Sequence, residues 1–496
     1  MTPKQFTRFA FVLAGSMAIA ACNSNNSTSK PVKTEAKLGT YSTVSCKTML
    51  GSNEYPPNAV CGYLNTPEKH AVGEDKGSNK RFKVAVMKIP AINKDAKPDP
   101  IVFLTGGPGS SAINMAGELT QKPMNYLIED RDLYLVDPRG TGYSQPSYTC
   151  SEFNGMVPTS AQLAACRKRL ADKGVDFAAF QSVQLANDII MLRKALKIDS
   201  WNLYGISYGT RLAETIVRED SSGIHSVVMD GVFPIEVNGI SDAPWGYYYN
   251  LNRVVQACTN TDWCEGHKVH VMIEKAISDL QNMGKPEAAA RYISTISENM
   301  GNSGVIQYIN AVDGDLSYAI EQDEEEDEEV FYAPMAFSIV CSEEYPFLGQ
   351  TALSEPDKKL WSQGTQIVVD KMNHMGFSKE NCKVWDVKPA GDIETQPVSN
   401  HLPTLVLNGR NDEQTAPEWG DLALKHKFAG FRATNNWGGH VQLLSDNPHR
   451  KCIDGIVTNF LDEYYNERTN GSIDPTECVS KIPKFTYPMP TAEDQE

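Results

Sequence analysis

Trp201-Asn202-Leu203-Tyr204-Gly205-Ile206-Ser207-Tyr208-Gly209-Thr210-Arg211-Leu212-Ala213-Glu214-Thr215-Ile216-Val217 is the stretch on which the fold turns. Residues 201–204 form a short apolar run of the kind buried in a parallel sheet, and residues 211–217 have a helical pattern. Between them, Gly205-Ile206-Ser207-Tyr208-Gly209 sets a glycine two residues before and two residues after a serine. A strand that turns sharply into a helix leaves no room for side chains at those positions, and the turn presents the serine hydroxyl at the carboxyl edge of the sheet. The helix N-terminus behind it favours negative charge developing there. The pentapeptide alone arises by chance in long chains; the strand before it and the helix after it make Ser207 a nucleophile candidate.

Outward from this turn, further apolar runs at 101–105, 133–136, 227–229 and 404–407 are each followed by a Gly-rich or polar turn and read as buried strands. Leu185, Ile189, Leu192 and Leu196 recur at helical spacing within 184–197. Strand, helix and strand in repeated order predict right-handed crossovers and a mostly parallel, doubly wound α/β sheet with its ligands at the carboxyl ends of the strands. From 238 to 395 the strand rhythm stops, replaced by helix-like stretches at 269–283 and 334–341 and by an acidic run at 321–329 that reads as a solvated loop. This segment is expected to be a large, mainly helical cap inserted into a catalytic domain made of 41–237 and 396–496.

A serine hydroxyl needs a base to take its proton and a carboxylate to orient that base. With this type of turn the chain order is Ser, then Asp or Glu, then His. Asp412, in Asn408-Gly409-Arg410-Asn411-Asp412, and His440, in Trp437-Gly438-Gly439-His440, follow the cap in that order. Each also has an ordinary reading, the Asp as a turn former and the His as a surface or core residue. His401 precedes Asp412 and breaks the order, His426 sits among lysines, and His449 is next to Pro448. The oxyanion of a tetrahedral intermediate needs two backbone donors. The amide of Tyr208 is one candidate, and that of Gly107, in Gly106-Gly107-Pro108-Gly109 after the 101–105 strand, is the other.

The ends and the cysteines bear on location. Lys4 and Arg8 precede an apolar run at 9–21 that is too short to span a bilayer, so 1–21 reads as a signal peptide. The run ends Ile19-Ala20-Ala21-Cys22, which resembles the lipobox of bacterial lipoproteins. That resemblance implies a lipid on Cys22, a membrane partner through the anchor and, from Asn23, the outer membrane, while the stretch 23–37, rich in Asn, Ser, Thr and Lys with almost nothing apolar, predicts a disordered tether at 22–40. Ordinary cleavage after Ala18-Ile19-Ala20, releasing a soluble secreted protein, is the alternative. Of eleven cysteines, ten remain if Cys22 is acylated. Neighbours in sequence suggest Cys46 with Cys61, Cys150 with Cys166, Cys258 with Cys264, Cys341 with Cys382 and Cys452 with Cys478, although spacing alone does not settle connectivity. Cys258, Cys264, His267 and His270 have the wrong spacing for a zinc knuckle, and neither a metal nor an organic cofactor is expected. The net charge of −16 argues against a nucleic-acid partner.

Together the segments Cys61-Gly62-Tyr63-Leu64, Leu104-Thr105-Gly106-Gly107-Pro108-Gly109, Asp137-Pro138-Arg139-Gly140-Thr141-Gly142, Gly205-Ile206-Ser207-Tyr208-Gly209-Thr210 and Asn408-Gly409-Arg410-Asn411-Asp412 resemble the prolyl aminopeptidase (proline iminopeptidase) and tripeptidyl aminopeptidase family. The likeness is to its exported, cysteine-containing tripeptidyl branch. Thr105 stands where proline iminopeptidases often have His, and Pro138 and Tyr143 alter the family pattern, while Ser144 keeps its end. The resemblance implies an α/β-hydrolase fold and cleavage of peptide substrates near a free N-terminus, with cap carboxylates on the amine. Glu343 and Glu344, in Cys341-Ser342-Glu343-Glu344, are the candidates, with plain surface charge as their other reading. The same turn and triad also serve carboxylic ester hydrolases. A non-catalytic peptide-binding lipoprotein is a third reading.

Overall fold

A computed structural model describes residues 37–154, 157–258, 264–300, 304–320, 331–372, 376–445, 448–465 and 477–487. The signal peptide, Cys22, the tether as far as 36 and the acidic run at 321–329 lie outside the described residues. The ordered chain is already attached at the end of the expected tether, because the Gly39 amide donates to the Asn65 carbonyl and the Asn65 amide to that of Thr40.

Among the described residues nine strands form one sheet: β1 (Tyr41–Val44), β2 (Val60–Pro67), β3 (Arg81–Ile89), β4 (Ile101–Leu104), β5 (Leu133–Val136), β6 (Trp201–Ile206), β7 (Ile224–Asp230), β8 (Asn400–Gly409) and β9 (Lys427–Asn435), in the spatial order β1-β2-β3-β5-β4-β6-β7-β8-β9. The β1–β2, β2–β3 and β3–β5 pairs are antiparallel, and every pair from β5–β4 through β8–β9 is parallel. The apolar runs in the sequence mark the middle of this sheet, where β4, β5 and β6 are buried at every residue. They do not mark β1, β2, β3 or β9. β3 holds the apolar run Val84-Ala85-Val86-Met87 but is bounded by Lys83 and Lys88, and β9 is partly exposed along its length and shows no continuous apolar run.

Side chains along β4 alternate between two buried cores. Val102 and Leu104 enter one core with Leu185, Ile189, Leu192, Leu212 and Ile216, from the helices Ser182–Leu196 and Tyr208–Asp220. Ile101 and Phe103 face the other way, into a core completed by Ile453, Val457 and Phe460 of the helix Arg450–Tyr465. With both faces covered, only the ends of the strands are left for a site.

Between β7 and β8 the described residues contain helices and no strand. The helices include Gly266–Asn282 and Ala333–Glu343, close to the 269–283 and 334–341 expected. Part of the insertion has its own core, with Tyr248, Leu251, Ile273, Ile277, Ile293 and Ile296. Five disulfides join Cys46–Cys61, Cys150–Cys166, Cys258–Cys264, Cys341–Cys382 and Cys452–Cys478, the pairing that chain proximity suggests. Bonded to each other, Cys258 and Cys264 have no thiolate to give a metal.

Candidate active site

β6 ends at Ile206 and a helix begins at Tyr208, so Ser207 is the single residue of the turn. Its φ and ψ of 52° and −125° lie outside the ordinary regions for a non-glycine residue, a conformation that costs on the order of 1–3 kcal/mol and must be held by its surroundings. The Ser207 amide donates to the Asp230 carbonyl at 2.9 Å, and the Ser207 carbonyl accepts from the Thr210 amide and hydroxyl at 2.9 and 2.7 Å. Of residues 201–210, Ser207 alone is not buried. The glycine requirement is steric: a Cβ on Gly209 would be driven into the Leu104 carbonyl, and one on Gly205 into that of Gly209.

Asp412 lies three residues beyond β8 and is fully buried. Its Oδ1 accepts from the amides of Gln414 and Thr415 at 2.9 and 2.7 Å, and its Oδ2 accepts from the Thr415 hydroxyl at 2.7 Å. His440 Nδ1 is 2.9 and 3.0 Å from the two oxygens. An ionised carboxylate only accepts, so Nδ1 carries the hydrogen and Nε2 is left to accept a proton. The two loops are joined as well, with the Asn411 amide donating to the Gly438 carbonyl at 3.0 Å. Burial works against the imidazolium, but the Asp412 carboxylate outweighs it, and the pKa of His440 is raised above the ordinary 6.5.

Ser207 and His440 flank the same point of the sheet. Asp230, the last residue of β7, accepts the Ser207 amide, and a Cβ on the next residue, Gly231, would lie 3.3 Å from His440 Cε1. On the other side of the serine runs the Gly106–Gly109 loop, where a Cβ on Gly106 would lie 3.0 Å from the Ser207 Cβ. Gly107 has a φ of 107°. Tyr208 opens its helix, where an amide has no intrahelical acceptor. Asp137 holds this loop from below: it accepts from the Ser111 hydroxyl at 2.7 Å, the Ile113 amide at 2.9 Å and the Tyr143 amide at 2.8 Å. Burial pushes its pKa up to about 6 against those bonds.

Glu343 and Glu344 are 1% and 2% exposed, which removes the surface-charge reading. Glu343 accepts from the Ser182 amide at 2.6 Å and hydroxyl at 2.7 Å, and that hydroxyl also bonds Tyr208 Oη. Glu344 accepts from the Gly239 amide at 2.8 Å and pairs with Arg211 at 2.9 Å, while Arg211 Nε is 3.8 Å from Glu343. The picture of two open carboxylates awaiting an ammonium is therefore corrected, because each of the four oxygens already has an internal donor. Burial raises the pKa of both acids. They line a cavity of about 460 Å³ together with Arg211, Glu236 and His426.

Reading the sequence alone misses Thr415, which bonds Asp412 and lies 3.1 Å from His440 Nδ1, and it misses Asp230. The signal for Asp230 was available, a lone acid ending the apolar run 227–229. A strained serine at a strand-to-helix turn, with a His–Asp pair at the same sheet edge, defines a serine hydrolase of the α/β type.

Two family profiles match the chain, one described as alpha/beta hydrolase fold over residues 99–264 and one as TAP-like protein over 370–472. The chain has the α/β-hydrolase fold, its C-terminal segment matches the TAP-like profile, and proteins similar to it include ones named as peptidases. It is 28% identical to the Escherichia coli (strain K12) protein YuaR over 43% of this chain and 45% of that one, so the match spans under half of that relative. It is 22% identical to the serine protease Hip1 of Mycobacterium bovis over 84% and 87% of the two chains. With the tripeptidyl aminopeptidase of Streptomyces lividans the identity is 25% over 40% and 39%.

The Gly209→Ala variant is expected to lose about 3 kcal/mol or more of stability through backbone displacement at the turn. It should also lose labelling of Ser207 by a fluorophosphonate. Urea denaturation and labelling check this, and an unchanged urea midpoint would contradict the steric argument.

Proposed function

We propose that the protein is a serine exopeptidase that cleaves near the free N-terminus of peptides through an acyl-enzyme. The observation that carries this reading is the 2.9 Å contact between His440 Nδ1 and Asp412 at the sheet edge where Ser207 sits strained and partly exposed. His440 Nε2 removes the Ser207 proton as Oγ attacks the carbonyl carbon, and Asp412 steadies the imidazolium that forms. The oxyanion rests on the amides of Gly107 and Tyr208. Nε2 then gives its proton to the leaving amine, the C–N bond breaks, and the acyl ester is hydrolysed by a water that His440 deprotonates in turn. These steps are carried by protein side chains and water.

The peptide substrate class is supported by the TAP-like segment and by relatives named as peptidases. Glu343 and Glu344 enter this reading as members of a buried network with Arg211 and not as open receptors. The proposed setting is the cell envelope, with Cys22 lipidated. What supports it is arithmetic: ten of eleven cysteines are consumed in five disulfides, and Cys22 is the one left over.

The Ser207→Ala protein is expected to fold normally and to lose about 10⁴-fold or more in kcat, and wild-type turnover in that variant would sink the mechanism. A chromogenic peptide with a free amine is expected to be cleaved about tenfold or more faster than its N-acetyl form; equal rates, with a short acyl ester preferred to both, would make the enzyme an esterase. Protonated His440 cannot accept the serine proton and its pKa is raised, so kcat/KM is expected to fall with acid through a midpoint above 6.5. A pH–rate profile flat down to pH 5 would exclude His440 as the base.

A further inference from the structure

The loop that carries His440 adopts a conformation its own residues disfavour. Val441, directly after the histidine, has a φ of 56°. In that left-handed region a β-branched side chain crowds the backbone, and such a residue stays there only when its surroundings impose it. Val441 is 2% exposed, so solvent does not relieve the crowding.

The Asp230 side chain bonds this loop, beside the Gln442 side chain's bonds to Gly439 and Asn435 and the Val441 carbonyl's bonds from the Leu444 and Ser445 amides. Asp230 Oδ1 accepts from the Gln442 amide at 2.6 Å and its Oδ2 from the Leu443 amide at 2.8 Å, with the Tyr204 hydroxyl at 3.2 Å. The two amides are the two residues after Val441, so the carboxylate closes the turn that Val441 opens. Asp230 is fully buried, and among the described residues no Lys or Arg pairs with it. Three other buried acids do have a basic partner, Asp188 with Arg139, Glu214 with Lys427 and Asp99 with Arg131, whereas Asp137, like Asp230, is held by hydroxyl and amide donors. Burying a carboxylate without a cation is costly, and burial pushes the pKa of Asp230 up to about 6 against the bonds from Gln442 and Leu443. Asp230 also faces the nucleophile. Its carbonyl accepts the Ser207 amide at 2.9 Å, and Gly231 beside it approaches His440 and Thr415.

We infer that Asp230 is a positioning residue for hydrolysis, setting Ser207 through its main-chain carbonyl and holding His440 against Asp412 by pinning Gln442 and Leu443 with its carboxylate. It touches neither substrate nor a moving proton. An Asn at 230 offers one acceptor where two amides need one each, and its NH₂ faces an amide donor. The histidine loop would then relax out of the left-handed turn. A glycine at 441 occupies that turn without strain, so it should keep the loop in place with only one of the two bonds.

The inference rests on the serine mechanism proposed above, and the experiment separates the two. The rate of fluorophosphonate labelling, kcat and KM for a chromogenic peptide, and the thermal melt are measured for the wild type, Asp230→Asn and the double variant Asp230→Asn, Val441→Gly. The single variant is expected to lose about 100-fold in labelling rate and kcat, the order of loss that a misplaced catalytic group brings, with KM within about twofold. The double variant is expected to regain about tenfold or more of that loss. A wild-type protein that neither labels nor hydrolyses overturns the serine mechanism itself. Labelling at the wild-type rate by Asp230→Asn overturns the positioning role alone, and so does a loss that Val441→Gly does not restore. If Asp230→Asn does not fold, the double variant decides: folding with measurable labelling supports the role, and failure to fold or to label overturns it.

Discussion

The architecture depends on how closely main chain can approach main chain at the carboxyl edge of the sheet. At Gly209 the helix that follows the nucleophile lies against the Leu104 carbonyl with no space for a methyl group between them. The same holds between the acid and base loops, where a side chain on Gly409 would run into the Gly439 carbonyl. The insertion reaches the site in the same way, with Gly246 of the helix Ala243–Ala257 seated on the carbonyl of Glu413, next to Asp412. These contacts bring loops from distant parts of the chain together, and each depends on the absence of a Cβ.

That closeness is paid for in backbone strain, held by buried polar groups. Ser207 and Val441 both have positive φ, and Asp230 bonds to the backbone of both loops. Asp137 does the equivalent for the Gly106–Gly109 loop, reaching Ser111, Ile113 and Tyr143 with one carboxylate. In the proposed mechanism neither acid moves a proton, and both would act by holding the loops around Ser207 and His440 in place before reaction.

Arg211 ties the insertion to the catalytic helix. It lies one turn after Ser207, bonds the carbonyls of Pro234, Val237 and Glu394, and pairs with Glu344. A buried pair of this kind adds little net stability over a well-packed apolar substitute, but removing one partner strands a charge. The network therefore acts as a register between the helical insertion and the sheet. It also gives each oxygen of Glu343 and Glu344 an internal partner within the cavity they line.

The sequence by itself marked the central strands, the serine turn and a helical insertion, offered Asp412 and His440 as candidates in the order the turn requires, and suggested, without settling, the disulfide partners close in the chain. Each of these is a local pattern: an apolar run, a glycine spacing, a helical repeat or a short loop between cysteines. Tertiary structure alone decided the antiparallel pairing of β1 to β3, since a run such as Val84–Met87 does not say which neighbour it takes, and the edge strand β9, whose partly exposed residues carry no continuous apolar signal. It alone decided that Glu343 and Glu344 are buried against Arg211, since burial and partners are properties of distant residues meeting. It also decided the contacts of Asp230, which is 212 residues from Gln442 in the chain and 2.6 Å from it in space. No local pattern encodes a contact of that separation; it exists only once β7 and the histidine loop share the same sheet edge.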